Sequence, residues 1–350
     1  MMKGLFLRNW FAAGAILLTS SCSLAQDAAT TPNAKPDFTA YTAALKAEAQ
    51  QRGYDAALLD AVFSSLEFHE RVISADRSQP EVVETLSTYL PKRVSEIRIR
   101  MARERYQQYG PQLEEIGKRY EVQPRFIIAL WGLESSFGRF MGTYSIPSAL
   151  ATLAYEGRRE TFFKQEFFNA LDILAEGHIR LEDMKGSWAG AMGQSQFMPS
   201  SFLAYAQDGD GDGKKDIWTN ELDVFASIAN YLKQQGWDNS GTWGREVVLP
   251  AGFDPAHAIQ RGSLARNEWL QRWNASERSL TEWHKLGVQR LNGESLPQRD
   301  MPAALILPDG PNGRAFLAYS NYKSLMHWNR SYYFVTSVGY LADLIVAEQG

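Results

Sequence analysis

Apolar residues recur mostly at helical spacing along this chain. From Phe38 to about Tyr109 they fall every three or four places among charges. The pattern is clearest in PEVVETLSTYLPKRVSEIRIRMARERYQQYG, and it predicts helices. Pro91 is expected to break or start one of them. Leu113, Ile116 and Tyr120, followed by PRFIIALWGLESSFG, predict helix across 111–138. ETFFKQEFFNALDILAEGHIRL (160–181) and LDVFASIANYLKQQ (222–235) predict two more, with Gly177 near the end of the first and Gly236 closing the second. The character changes near Gly236. Gly, Pro, Trp and turn pairs become frequent over 237–320, where REVVLP and AALILPDG read as short strands. Residues 332–347 return to a helical pattern, and no repeat of fixed period is visible. The expected fold class is mainly α, with a small mixed α+β insertion late in the chain.

Composition narrows the function classes. A chain of 350 residues suggests two domains. A net charge of -4 argues against a nucleic-acid binder, which needs a basic face. A single Cys excludes an internal disulfide framework and a Cys-based zinc site, and five scattered His suggest no metal cluster.

The N-terminus reads as an export signal over residues 1–22. Lys3 and Arg8 precede the apolar run WFAAGAILL, and the small residues TSSC follow. The run is too short to span a membrane. Cys22 sits where a bacterial lipoprotein signal places its lipidated residue. The alternative is cleavage after Ala25, which leaves a soluble periplasmic protein. Either reading places the protein outside the cytoplasm. Residues 23–36, rich in Ala, Thr, Pro and Asn, read as a flexible tether.

Glu134 is the leading chemical candidate. It lies in IIALWGLESSFGRF, with apolar or small residues on almost every side. A carboxyl in such surroundings is poorly solvated when charged, so its pKa rises and it can hold a proton near neutral pH. A general acid that protonates a glycosidic oxygen needs that property. The alternative is a structural Glu satisfied by a partner. A second segment, SWAGAMGQSQFMPSSF (187–202), is rich in small residues and amides. Gly190 and Gly193 would let the backbone approach a ligand closely, and Ser187, Gln194 and Gln196 offer uncharged hydrogen bonds. A packed turn between helices would account for the same segment.

ISADRSQPE, ALWGLESSFG, AGAMGQSQFMPSSF and YSNYKSLMHWNRSYYF, in this order along the chain, closely resemble the lytic murein transglycosylase B family, glycoside hydrolase family 103. The resemblance implies a lysozyme-like catalytic core and one catalytic acid/base at Glu134. It implies that Ser187 and Gln196 line a sugar-binding groove, with Asn329 near the acid. Arg158 and Arg159, in EGRRE, match a paired-Arg motif that contacts the peptidoglycan substrate. The implied reaction cleaves the bond from N-acetylmuramic acid to N-acetylglucosamine and closes a 1,6-anhydro ring. Residue chemistry agrees with one acid, because no second carboxylate is embedded in apolar sequence as Glu134 is; two-carboxylate glycosidases need a pair at set spacing. A non-catalytic peptidoglycan-binding scaffold and a hydrolytic muramidase are the rival readings.

DGDGDGKKDIW (208–218) resembles a calcium loop of the EF-hand kind. Asp208, Asp210 and Asp212 take positions 1, 3 and 5, Gly213 supplies the turn, and Lys214 offers its carbonyl. Thr219 stands at position 12 instead of the usual Glu, and Lys215 replaces an aliphatic residue. A longer loop, as in the family, would bring in Asp223, with Asp216 a candidate water-mediated ligand. Structural calcium is therefore expected, and no cofactor for catalysis. The expected organisation is a helical domain over 37–109 completed by 335–350, a catalytic core over 110–240 with calcium loop 208–223, and a small α+β segment over 241–334. The expected partners are peptidoglycan strands and, through Cys22, the outer membrane, without nucleic acid. Protein partners are not readable from the sequence.

Overall fold

The computed structural model describes residues 37–77, 84–260 and 266–347. Contacts part the chain after Asp37, and every helix and strand among the described residues belongs to the body that begins at Phe38. The signal segment, the tether and Cys22 lie outside the described residues, as do 78–81 of the ISADRSQPE stretch.

The chain begins with α1 (Phe38–Gln51), α2 (Ala56–Ser64), α3 (Glu70–Arg77), α4 (Leu86–Arg93), α5 (Glu96–Gln108), α6 (Gly110–Tyr120) and α7 (Pro124–Ser135). Strand β1 (Tyr144–Ser145) leads into α8 (Ile146–Glu156) and α9 (Glu160–Ala175), and β2 (Lys185–Gly186) pairs back on β1. Next come α10 (Pro199–Tyr205) and α11 (Glu221–Gln234). The late region holds β3 (Gly244–Val248), β4 (Ile259–Gln260), α12 (Arg266–Ser276), β5 (Arg278–Ser279), α13 (Leu280–Lys285), β6 (Gln289–Arg290), β7 (Pro302–Leu307) and β8 (Ala315–Ala318). It closes with α14 (Ser320–Trp328) and α15 (Tyr332–Val346).

The expected helix over 111–138 is two helices. Glu121 caps α6 in the left-handed region at φ 55°, and Pro124 opens α7. Pro91 neither breaks nor starts a helix; it sits inside the last turn of α4, which ends at Arg93. The helix expected over 160–181 stops at Ala175, before Gly177 turns the chain at φ 75°.

Helix α7 is buried on nearly every side, from Phe126 to Leu133. A helix apolar all round belongs in a core. Helices α5, α6, α11 and α15 pack around it, and α15 also reaches α4. The last helix therefore joins both the N-terminal helices and the helix that carries Glu134.

The late strands form a sheet of order β4-β7-β8-β3-β6, with β5 on β7. Pairing is antiparallel except between β4 and β7. The unbroken apolar run of β7 follows from burial on both faces. Ala304 and Ile306 join the main core, whereas Ala303, Leu305 and Leu307 join a second cluster with Val247, Leu280, Trp283 and Leu317. Alternate residues of a strand face opposite sides, so a sheet covered twice needs no polar positions.

Candidate active site

Helix α7 delivers Glu134 to its C-terminal end, where the chain turns through three left-handed residues. Ser136, Phe137 and Gly138 have φ of 53°, 61° and 79°. Ser135 Oγ accepts from the Gly138 N–H at 3.0 Å and steadies this turn. Phe137 folds back over Gly132, where a Cβ would meet its ring at 2.6 Å. Left-handed φ at a non-glycine residue costs on the order of 1 kcal/mol or more, and such strain clusters at functional sites.

Burial raises the Glu134 pKa from its ordinary 4.5 to about 7, opposed by a hydrogen bond from Trp328 and by the charge of Arg93. Trp328 Nε1–H donates to Glu134 Oε1 at 2.6 Å. Trp328 is itself wedged by Phe197 and Tyr231, with ring centres 5.2 and 4.8 Å away. Sequence reasoning did not select Trp328; its one signal was its place immediately before Asn329.

The structure contains further buried carboxylates that sequence patterning does not reveal: Asp76, Glu166 and Asp223. Each is committed elsewhere. Glu166 accepts from Ser200 N and Oγ at 2.8 and 2.6 Å, which fastens the start of α10. Asp76 takes Arg158 and Arg159, the latter at 2.8 Å. Asp223 accepts two backbone N–H groups. Glu134 has a single donor among the described residues, which leaves its second oxygen for chemistry.

The loop after β2 lies against the segment that follows Glu134. Ser187 Oγ accepts from Ala189 N and Ala191 N at 3.3 and 3.0 Å, so the hydroxyl organises its own tight loop. Gln196 takes φ 52°, and its Nε2 donates to Met141 O and Gly193 O at 3.1 and 2.8 Å. This ties the loop to the segment that follows Glu134. Gln194 is buried: Trp131 Nε1 donates to its Oε1 at 2.7 Å, and its Nε2 donates to Trp218 O at 3.1 Å. It is a brace, not a groove residue. Asn329 is exposed and ends α14, one residue beyond the indole that holds Glu134. Glu134 and Gln196 are linked through Trp328, Phe197 and the Gln196 amide, and Asn329 follows Trp328 directly in the chain.

Arg158 and Arg159 lie at the junction of α8 and α9. Their guanidinium groups fasten α3 through Asp76, and Arg159 stacks on Phe163 at 4.6 Å. These partners belong to the junction of α3, α8 and α9. About half of each side chain is exposed.

The acidic loop joins α10 to α11. Carboxylate oxygens of Asp208, Asp210 and Asp212 lie within 4.8 Å of one another. Three like charges so close repel, and hard oxygen donors suit calcium. Gly213, at φ 90°, makes the turn, and the Lys214 N–H donates to Asp212 at 2.8 Å. These residues fit a cation. Asp223 departs from the expected ligand set: its oxygens accept from Gly209 N and Asp216 N at 2.7 and 2.6 Å. Burial raises its pKa to about 6, helped by the charges of Asp210 and Asp208, and its two backbone bonds brace the loop from within. Asp216 accepts from Trp218 N and Thr219 N, and Asn220 Nδ2 reaches Asp210 at 2.8 Å. Thr219, lacking a carboxylate, bonds Asp216.

Comparisons agree with this geometry. Residues 37–343 match the family described as the transglycosylase SLT domain. Membrane-bound lytic murein transglycosylase B of Escherichia coli (strain K12) is 37% identical over 166 residues, 46% of each chain. The match spans about half the length of that curated relative. SltB3 of Pseudomonas aeruginosa, solved in complex with NAG-anhNAM-pentapeptide, is 40% identical with a TM-score of 0.81, over 87% of this chain and 78% of that one. Escherichia coli Slt35, solved with calcium, is 25% identical with a TM-score of 0.70, over 87% and 92%. The match runs through α7, the loop after β2, the acidic loop and α14, so this chain belongs to the transglycosylase SLT domain family.

Proposed function

We propose that this chain is a peptidoglycan lytic transglycosylase. It cleaves the β-1,4 bond between N-acetylmuramic acid and N-acetylglucosamine and leaves a 1,6-anhydromuramic end. The observation that carries the reading is Glu134: a carboxyl with pKa about 7 and, among the described residues, one hydrogen-bond donor and no second carboxylate acting on it. SltB3 has been solved with both NAG-NAM-pentapeptide and NAG-anhNAM-pentapeptide, which supports this substrate and product.

The chemistry follows from that one group. Trp328 occupies Oε1, so Oε2 carries the proton to the glycosidic oxygen. The C1–O bond breaks and positive charge spreads over C1 and the ring oxygen. The Glu134 carboxylate then takes the proton of the muramic C6 hydroxyl, and that oxygen closes on C1. The proton returns to Glu134 and no water is consumed. Ser187, Gln196 and Asn329 hold the sugar in the groove, and Arg158 and Arg159 meet the substrate with their exposed faces. Digestion of purified sacculi followed by mass spectrometry tests this. Anhydro products one water lighter than reducing-end muropeptides are expected, and none with Glu134→Gln. Reducing-end products would mean a muramidase; binding without products would mean a scaffold.

Asp208, Asp210, Asp212 and the Lys214 carbonyl would hold a structural calcium, with Asp223 behind them. Its chemistry there is charge neutralisation between α10 and α11. The late sheet with its own apolar cluster supports reading 241–334 as a separate α+β segment. Among the described residues no helix is long and apolar enough to cross a membrane. We read the protein as periplasmic and held to the outer membrane through lipid on Cys22. Cys22→Ser should release it into the soluble periplasmic fraction, and unchanged fractionation would refute the anchor.

A further inference from the structure

A cleft of about 380 Å³ opens along the edge of the late sheet, away from Glu134. Its lining includes Arg245, Glu246, Arg290, Leu291, Phe316 and Tyr340. Strand β6 covers only Val247 and Val248, so the edge of β3 from Gly244 to Glu246 has no strand against it among the described residues. Tyr319 N donates to Trp243 O across the β3–β8 pair at 3.0 Å. By alternation, Gly244 and Glu246 direct their N–H and C=O groups to the open side.

The charges around the cleft are unevenly matched. Glu246 is taken by Arg314 at 2.7 and 2.5 Å, and Asp343 by Arg125 and Trp243 at 2.9 and 2.8 Å. Arg290 pairs only with an exposed Glu294, and Arg245 has no acidic partner among the described residues. Arg245 Nε and Arg290 Nε are buried without a hydrogen-bond partner among the described residues, and the Arg245 guanidinium also acts on the Tyr319 hydroxyl. The Arg245 guanidinium lies 5.9 Å from the Tyr319 ring centre. Buried donors without an acceptor imply one that arrives from outside. Two guanidinium forks suit a carboxylate. Leu291, 62% exposed, and Tyr340, 38% exposed, would receive apolar side chains.

We propose that this edge is a second binding site, for an extended peptide that pairs with β3 and places a free carboxylate on Arg245 and Arg290. An open strand edge gives affinity through the main chain, and the arginines give specificity for the carboxylate.

Fluorescein-labelled trialanine with a free C-terminal carboxylate is the probe, read by anisotropy on the full-length protein. Binding is expected, weaker by about tenfold when the carboxylate is an amide. Arg245→Gln and Arg290→Gln should each weaken the free acid by about tenfold and leave sacculus digestion unchanged. Absence of binding, equal binding of acid and amide, or unaltered binding by both variants would overturn the proposal. Displacement by an equal concentration of inorganic phosphate would also overturn it, assigning a plain anion site. If the variants do not fold, the comparison of acid and amide on the unmodified protein decides.

Discussion

Trp328 Nε1–H meets Glu134 Oε1 at 2.6 Å, across 194 residues of sequence. The bond does two things. It fixes the carboxyl orientation, and it favours the ionised form, which opposes the desolvation that raises the pKa. Trp328→Phe keeps the packing against Phe197 and Tyr231 and removes the donor. The pKa should then rise above about 7, and the alkaline limb of the pH–rate profile should move to higher pH. Loss of orientation should lower kcat by about tenfold. An alkaline limb that stays in place would show that the indole does not act on the acid.

Glu134 also makes stability depend on pH. Its folded pKa lies above the unfolded value, so the folded state holds the proton more tightly. That stabilisation is complete below pH 4.5 and is lost as pH rises through about 7. Glu134→Gln keeps an acceptor for Trp328 and has no charge to bury. It should be more stable than the unmodified protein at pH 8 by about 1–3 kcal/mol, with little difference near pH 4. Denaturant melts at the two pH values measure this; an equal difference at both would remove ionisation as the cause.

Calcium should stabilise the fold through the acidic loop. With dissociation constants of about 10⁻⁴ to 10⁻³ M for extracellular sites, saturating calcium should add about 1–3 kcal/mol. Thermal melts with and without chelator check this. Asp210→Asn should abolish most of the calcium effect, because Asp210 belongs to the cluster within 4.8 Å. Asp223→Asn should instead lower stability with or without calcium, since its oxygens hold Gly209 N and Asp216 N.

Asp76 separates two roles of the arginine pair. It is 4% exposed and accepts from both Arg158 and Arg159. Asp76→Ala leaves two cations without their shared acid and should cost about 2–4 kcal/mol. Arg158→Lys and Arg159→Lys keep charge near Asp76 but lose the planar fork. If the pair also meets substrate, these variants should raise KM on sacculi by more than their loss of stability explains. Normal KM with reduced stability would confine the pair to the junction of α3, α8 and α9.

What could be read from the chain alone was what is local. Helical periodicity located α5, α9, α11 and α15, because each presents an apolar face at fixed spacing. The unbroken apolar run around Glu134 announced a desolvated carboxyl, because the neighbours that withhold water are its own helix and turn. The spacing of Asp208, Asp210 and Asp212 announced a cluster of carboxylates for the same reason. Tertiary structure decided everything that depends on distant partners. The donor on Glu134 comes from α14, the arginines meet an acid on α3, and Asp223 turns toward Gly209 and Asp216 instead of joining the cluster. Glu166 reads as an ordinary polar position on α9 until Ser200 folds onto it. A sequence window records which groups neighbour a residue along the chain. Burial and hydrogen bonding depend on which groups reach it through space, and those partners lie from 7 to 194 residues away along the chain.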